Sequence, residues 1–232
     1  MADSRERLIV ALDVPTAAAA HKIVAAVGDS ARIYKVGMQL YTAEGPQIVR
    51  DLLASGRQVF LDLKYHDIPN SVAAAVKEAA KLGVRMLSVH ASGGGKMLRA
   101  AVDAARNTSP STLVLGVTVL TSLDNRDLEH AGVRGNVGDQ VSRLAALAIS
   151  NRCAGVIASA KEAAALRAEL GDDFLIVTPG VRPAGAVQDD QARIVTPSEA
   201  IAAGASYIVV GRPITEAADP ATEAREILAQ LA

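Results

Sequence analysis

Two lysines and two aspartates in this sequence are spaced so that they can share a proton-transfer site. Residues 60–72 read FLDLKYHDIPNSV, and Asp62, Lys64 and Asp67 follow directly on a short apolar run. Asp62 and Lys64 are two positions apart, which on a strand puts both side chains on one face. Lys35, in the preceding apolar run IYKVGM, reaches the same space from the neighbouring strand. The pattern is cation, anion, cation, with Asp67 as a second anion. Opposite charges favour each other's ionised form. A lysine held in this way is an ammonium that can deliver a proton, and a poor Schiff-base nucleophile, which needs a neutral amine.

A second signal is independent of the first. Residues 207–214 read YIVVGRPI: a strand, then Gly211 and Arg212 at the start of a helix. Backbone N–H groups at such a junction suit phosphate oxygens. Gly211 lets the backbone come close, and Arg212 offers a fork of donors. Arg182 and Gln191, in the stretch after the preceding strand, add to the same end. A Gly-Arg pair alone is a weak motif, and its place at the end of the last strand is what points to a small phosphorylated ligand.

The elements that position these residues follow from hydrophobic patterning. Eight short apolar runs begin at Leu8, Ile33, Gln58, Met86, Thr112, Gly155, Phe174 and Tyr207. Most are continuous rather than alternating, as in parallel strands covered on both faces. Alanine-rich helical patterns lie between them. Thr16 is the expected N-cap of residues 17–27, with Gly28 closing that helix. Ser71 is the expected cap of residues 72–82, with Gly83 after it, and Gly56, Gly171 and Gly204 sit at similar ends. The α/β alternation predicts a (β/α)8 TIM barrel formed as a single domain over residues 1–232. Two connections, 121–140 after strand 5 and 181–197 after strand 7, are rich in loop signals and read as lids. The strand ends carry Asp13, Lys35, Asp62, Lys64, Ser88, His90, Thr118, Thr121 and Arg212, all toward the face where barrel active sites form. A lone buried Asp or Lys is ordinarily a satisfied ion pair; polar ends on so many strands point to an active site. His90 either orders that site or fills a polar niche, and His66 is either solvated or at a subunit interface.

Composition narrows the function classes. The net charge is −1 with 21% charged residues, so no nucleic-acid footprint is expected. Aromatics make up 3% and tryptophan is missing, which argues against base-stacking platforms. Cys153 is the sole cysteine and its neighbours are small and apolar, so a buried inert thiol is expected rather than a disulfide or metal site. The N-terminal apolar run is short and continues into Asp13, unlike a signal peptide, and no run is long enough to span a membrane. The expectation is a soluble, cytoplasmic protein.

DLKYHDIPNS closely resembles the signature segment of the orotidine 5′-monophosphate decarboxylases, Asp-x-Lys-x-x-Asp-Ile-Pro-Asn followed by Thr or Ser. ALDV, YKVG, VTVLTS, TPGVRP and VVGRPI have counterparts in the same order, so the resemblance covers essentially the whole chain. It implies conversion of orotidine 5′-monophosphate to UMP and CO2 in pyrimidine synthesis by a homodimeric barrel with no metal and no organic cofactor. By position, Lys64 is the proton donor to C6, and Lys35, Asp62 and Asp67 complete the charge array, with Asp67 reaching the partner subunit's site. Asp13 and Lys35 contact the ribose and Thr121 holds the nucleotide. Ile68, Pro69 and Ser71 belong to the segment that meets substrate, Ser71 standing where many members have threonine. Pro179, Arg182, Gln191, Gly211 and Arg212 line the phosphate end. Two alternatives remain at this level. One is a Mg2+-dependent sugar-phosphate decarboxylase or synthase of the same suprafamily, whose acidic metal ligand on strand 2 is replaced here by Lys35. The other is a nucleotide-binding barrel without catalysis, which has no need of Lys64 between two carboxylates.

Overall fold

A computed structural model of the chain describes residues 4–183 and 195–231. Its strands are β1 (Leu8–Ala11), β2 (Ile33–Gly37), β3 (Gln58–Tyr65), β4 (Met86–His90), β5 (Leu113–Val117), β6 (Gly155–Ile157), β7 (Leu175–Thr178) and β8 (Tyr207–Val210). They pair in sequence order, all parallel, and β8 pairs with β1 to close the barrel. Every expected strand is therefore present, most of them shortened at their ends and β3 running one residue further, to Tyr65. The helices are α1 (Ala17–Val27), α2 (Met38–Glu44), α3 (Gln47–Ala54), α4 (Pro69–Lys81), α5 (Gly94–Thr108), α6 (Asn125–His130), α7 (Val137–Ser150), α8 (Ala160–Leu170), α9 (Pro197–Ala202), α10 (Arg212–Thr215) and α11 (Pro220–Ala229).

The apolar runs look continuous in sequence because both strand faces are buried. Alternate residues serve different cores. Ile9, Ala11, Ile33, Phe60, Met86, Leu115, Val117, Ile157, Val177 and Val209 fill the barrel interior. Leu8, Val10, Tyr34, Val36, Val59, Leu61, Leu87 and Val89 face outward against the helices. The two-residue period fixes which strand-end residues face the mouth: Lys35 continues the inward series of Ile33, and Asp62 that of Phe60. Neighbouring strands are in register at Lys35↔Phe60 and Gly37↔Asp62, so Lys35 and Asp62 lie side by side at one end. Close approach has a requirement of its own at Gly155, where an added Cβ would lie 2.2 Å from the Leu175 carbonyl oxygen.

Thr16 caps α1 as expected, its hydroxyl accepting the Ala19 N–H, and Gly28 closes that helix with φ 57°. The cap expected at Ser71 is a correction: α4 begins at Pro69, with Ile68 as the cap residue and no side-chain cap bond. Proline explains the shift, because its fixed φ pre-forms the first turn and it brings no N–H to be satisfied. The connection read as a loop over residues 121–140 also holds more structure than its composition suggests. It contains α6 and the start of α7, each opened by a capping box, Asp124 with Asp127 and Asn136 with Asp139. After β7, Val181 bridges Val195 and the Arg182 N–H donates to the Val195 carbonyl at 3.1 Å, joining the two described ends of that connection. No helix among the described residues is long and apolar enough to cross a membrane.

Candidate active site

The C-terminal ends of the strands surround a cavity of about 510 Å3. On one side stand the charges of β1, β2 and β3. Lys35 Nζ lies 2.7 Å from Asp13 Oδ1 and 4.0 Å from Asp62 Oδ2. Lys64 Nζ lies 2.7 Å from the same Asp62 Oδ2. Lys35 and Asp62 are buried, whereas Asp13 is open to solvent at the rim, with 61% of its side chain exposed. The result is one carboxylate with a lysine on either side, facing open space. Arg182, which follows β7, and Gly211 and Arg212, which follow β8 beside β1, line the cavity too, together with Pro179 and Thr121. Apolar surface from Val119, Leu120 and Ile157 completes the lining.

Local structure makes this array. Lys64 has φ 51°, the left-handed region that non-glycine residues seldom occupy. The β3–β4 ladder shifts register between Leu61 and Tyr65, so Lys64 sits in an irregular stretch of β3 rather than in a regular pleat. Spacing of two on an ideal strand thus predicts the meeting of Asp62 and Lys64, but the backbone brings it about by a bulge. Ser88 on β4 spans this irregularity: its hydroxyl donates to Asp62 Oδ1 at 2.8 Å and accepts the Lys64 N–H at 2.9 Å.

Asp13, Lys35, Asp62, Lys64, Thr121, Pro179, Arg182, Gly211 and Arg212 are brought together at this cavity. Asp67, Ile68, Pro69 and Ser71 do not line it. Asp67 is exposed and accepts the Ile68 N–H on Oδ1 at 2.6 Å, and Ile68 is 66% exposed. Gln191 lies outside the described residues. Thr118, read as a strand-end hydroxyl, is spent internally, donating to the Ile157 carbonyl at 2.9 Å.

Two contributors were not singled out by motif. Ser88 was legible only as a polar strand end. Gly37 closes YKVG, and an added Cβ there would lie 3.0 Å from both Asp13 Oδ1 and Lys35 Nζ, so glycine leaves the room this ion pair occupies. Beside the array, the His66 and His90 rings are 5.3 Å apart. Burial, then the nearby His66 and Lys64, lowers the His90 imidazole below its usual value, with Asp62 opposing. Burial pushes the Cys153 thiol up to about 12, which suits the inert thiol expected there. No group of three or more His, Cys, Asp or Glu side chains among the described residues is placed to hold a metal ion.

A closed barrel whose mouth gathers a lysine–aspartate–lysine array and two arginines around one cavity defines a barrel enzyme that acts on a small anionic molecule. The family model described as orotidine 5′-phosphate decarboxylase / HUMPS family matches residues 6–227, and the chain belongs to that family. The orotidine 5′-phosphate decarboxylase of Halorhodospira halophila is 52% identical over 226 residues, covering 97% of this chain and 96% of that protein. That of Anaeromyxobacter dehalogenans is 51% identical over 226 residues, covering 97% and 98%. The crystal structure of orotidine 5′-phosphate decarboxylase from Lactobacillus acidophilus superposes with a TM-score of 0.89 at 39% identity, covering 97% of this chain and 99% of that one.

Proposed function

We propose that this chain is an orotidine 5′-phosphate decarboxylase, releasing CO2 from orotidine 5′-monophosphate to give UMP. The observation that carries the reading is Asp62 flanked by the Lys64 and Lys35 ammonium groups and facing a cavity that opens onto arginines. The substrate is held at two ends. Its phosphate meets Arg212, the Gly211 backbone and Arg182, with Gln191 on the same connection. Its ribose meets Asp13 and Lys35, and Thr121 steadies the nucleotide. The base then lies with its carboxylate against Asp62. Loss of CO2 leaves an electron pair at C6 with no conjugated sink to receive it. The Lys64 ammonium stabilises that charge as it develops and then donates its proton to C6, forming the new C–H bond. Asp62 repels the substrate carboxylate and keeps Lys64 aimed. Binding energy gathered at the remote phosphate offsets the cost of that crowding.

The dimer belongs to the same proposal. Asp67 and Ile68 project from the segment after β3 into solvent in the single chain, and Ile68 is a large apolar side chain left 66% exposed. Seated on a second copy, this segment brings Asp67 to the partner's array and covers Ile68.

The Mg2+-dependent alternative is disfavoured by Lys35, whose ammonium stands within 4.0 Å of Asp62 and 2.7 Å from Asp13, where a divalent cation would compete with it. The test is loss of orotidine 5′-monophosphate absorbance with purified protein, before and after exhaustive chelation. Equal rates in both support the proposal. A rate abolished by the chelator and restored by Mg2+, or no turnover at all, refutes it.

A further inference from the structure

We infer that Ser88 is a positioning residue for the Asp62–Lys64 pair, an inference that rests on the decarboxylase reading. Ser88 is fully buried on β4, on the inward series that begins with Met86. Its hydroxyl makes two bonds that no ladder partner makes. It donates to Asp62 Oδ1 at 2.8 Å, leaving Oδ2 as the oxygen that receives Lys64 Nζ at 2.7 Å. It also accepts the Lys64 backbone N–H at 2.9 Å.

That second bond falls where the structure is irregular. Lys64 has φ 51°, and β3 loses register with β4 between Leu61 and Tyr65. A non-glycine residue in this region costs on the order of 1–3 kcal/mol and persists only where its surroundings hold it. Without the Ser88 oxygen, the Lys64 N–H loses its acceptor, which favours relaxation of the backbone toward ordinary β geometry. Relaxation would swing the lysine away from Asp62 Oδ2. One hydroxyl therefore sets both the carboxylate's rotation and the backbone that aims the ammonium. Ser88 does not itself line the cavity but bonds two residues that do, so its effect runs through Asp62 and Lys64.

The experiment compares Ser88→Ala and Ser88→Thr with the parent in the full chain, reading kcat for orotidine 5′-monophosphate and Kd for UMP. Ser88→Ala removes one oxygen. A displacement of about an ångström in a catalytic group is worth roughly 10- to 100-fold in rate, so kcat is expected to fall by that factor. UMP affinity should stay within about twofold, because the Ser88 hydroxyl bonds Asp62 and Lys64 and none of the residues assigned to the phosphate. Ser88→Thr, which keeps the hydroxyl, should recover most of the loss. The inference is overturned if Ser88→Ala keeps kcat within about twofold of the parent, or loses kcat and UMP affinity in parallel. A folded threonine variant as slow as the alanine variant also overturns it. Should the threonine methyl prevent folding, the rate-against-affinity split of Ser88→Ala decides alone. A parent chain with no turnover refutes the decarboxylase reading instead, so the two failures are distinguishable.

Discussion

Asp62 is the residue around which the proposed chemistry turns, because three groups converge on its two oxygens. Ser88 takes Oδ1, while Lys64 and, at longer range, Lys35 share Oδ2. The arrangement directs both lysines at the cavity. In the same cavity, Arg212 is assigned to the phosphate. Arg212→Ala should weaken UMP binding about 10- to 100-fold, since a charge-assisted hydrogen bond is worth roughly 1.5–3 kcal/mol. Calorimetric titration with UMP checks this; unchanged affinity would remove Arg212 from the phosphate site. The residue types at this site were readable in sequence, because charges do not end buried strands without a use. The left-handed backbone of Lys64 was not readable, since it arises from a mismatch between β3 and β4 rather than from any local preference of lysine.

At the scale of elements, the barrel is legible wherever burial dictates composition. All eight apolar runs became strands because parallel strands covered on both faces admit little else. The helix starts were less faithful. Pro69 moved the start of α4 ahead of Ser71, and α6 was hidden in a polar segment whose helix signal is the Asp124–Asp127 capping box rather than an apolar stripe. Short helices with one buried residue, as α6 has in Leu128, leave almost no periodicity to detect. Packing between β6 and β7 leaves no room for a side chain at Gly155. Gly155→Ala would place a Cβ 2.2 Å from the Leu175 carbonyl oxygen and 2.6 Å from the Leu175 Cβ. Overpacking of this kind costs roughly 1–3 kcal/mol or more. A clear fall in the midpoint of urea unfolding is expected, and an unchanged midpoint would show that β6 and β7 can part without cost.

For the whole molecule, the proposed second copy makes a prediction of its own. In the single chain Asp67 is turned to solvent and does not line the cavity, as a residue that serves a neighbour's site should be. Two inactive variants test this together. Asp67→Ala chains keep Lys64, and Lys64→Ala chains keep Asp67. In a mixed two-fold dimer one of the two sites regains both groups, so random mixing should restore on the order of a quarter of parental activity. Mixtures as inactive as their components would place Asp67 in its own chain's site or outside the chemistry. Nothing in the strand pattern announces the proposed sharing, which is motivated by the exposure of Ile68 beside Asp67 in the single chain.

The central claim is that the Lys64 ammonium supplies the proton that replaces CO2 at C6. Its most direct test is turnover of orotidine 5′-monophosphate in D2O by the parent protein and by Lys64→Ala, with UMP read by mass and by loss of the C6 proton signal. The account predicts singly deuterated UMP from the parent, and no detectable turnover from a folded Lys64→Ala variant that still binds UMP. Deuterated UMP formed by that variant at a rate near the parent's would contradict it.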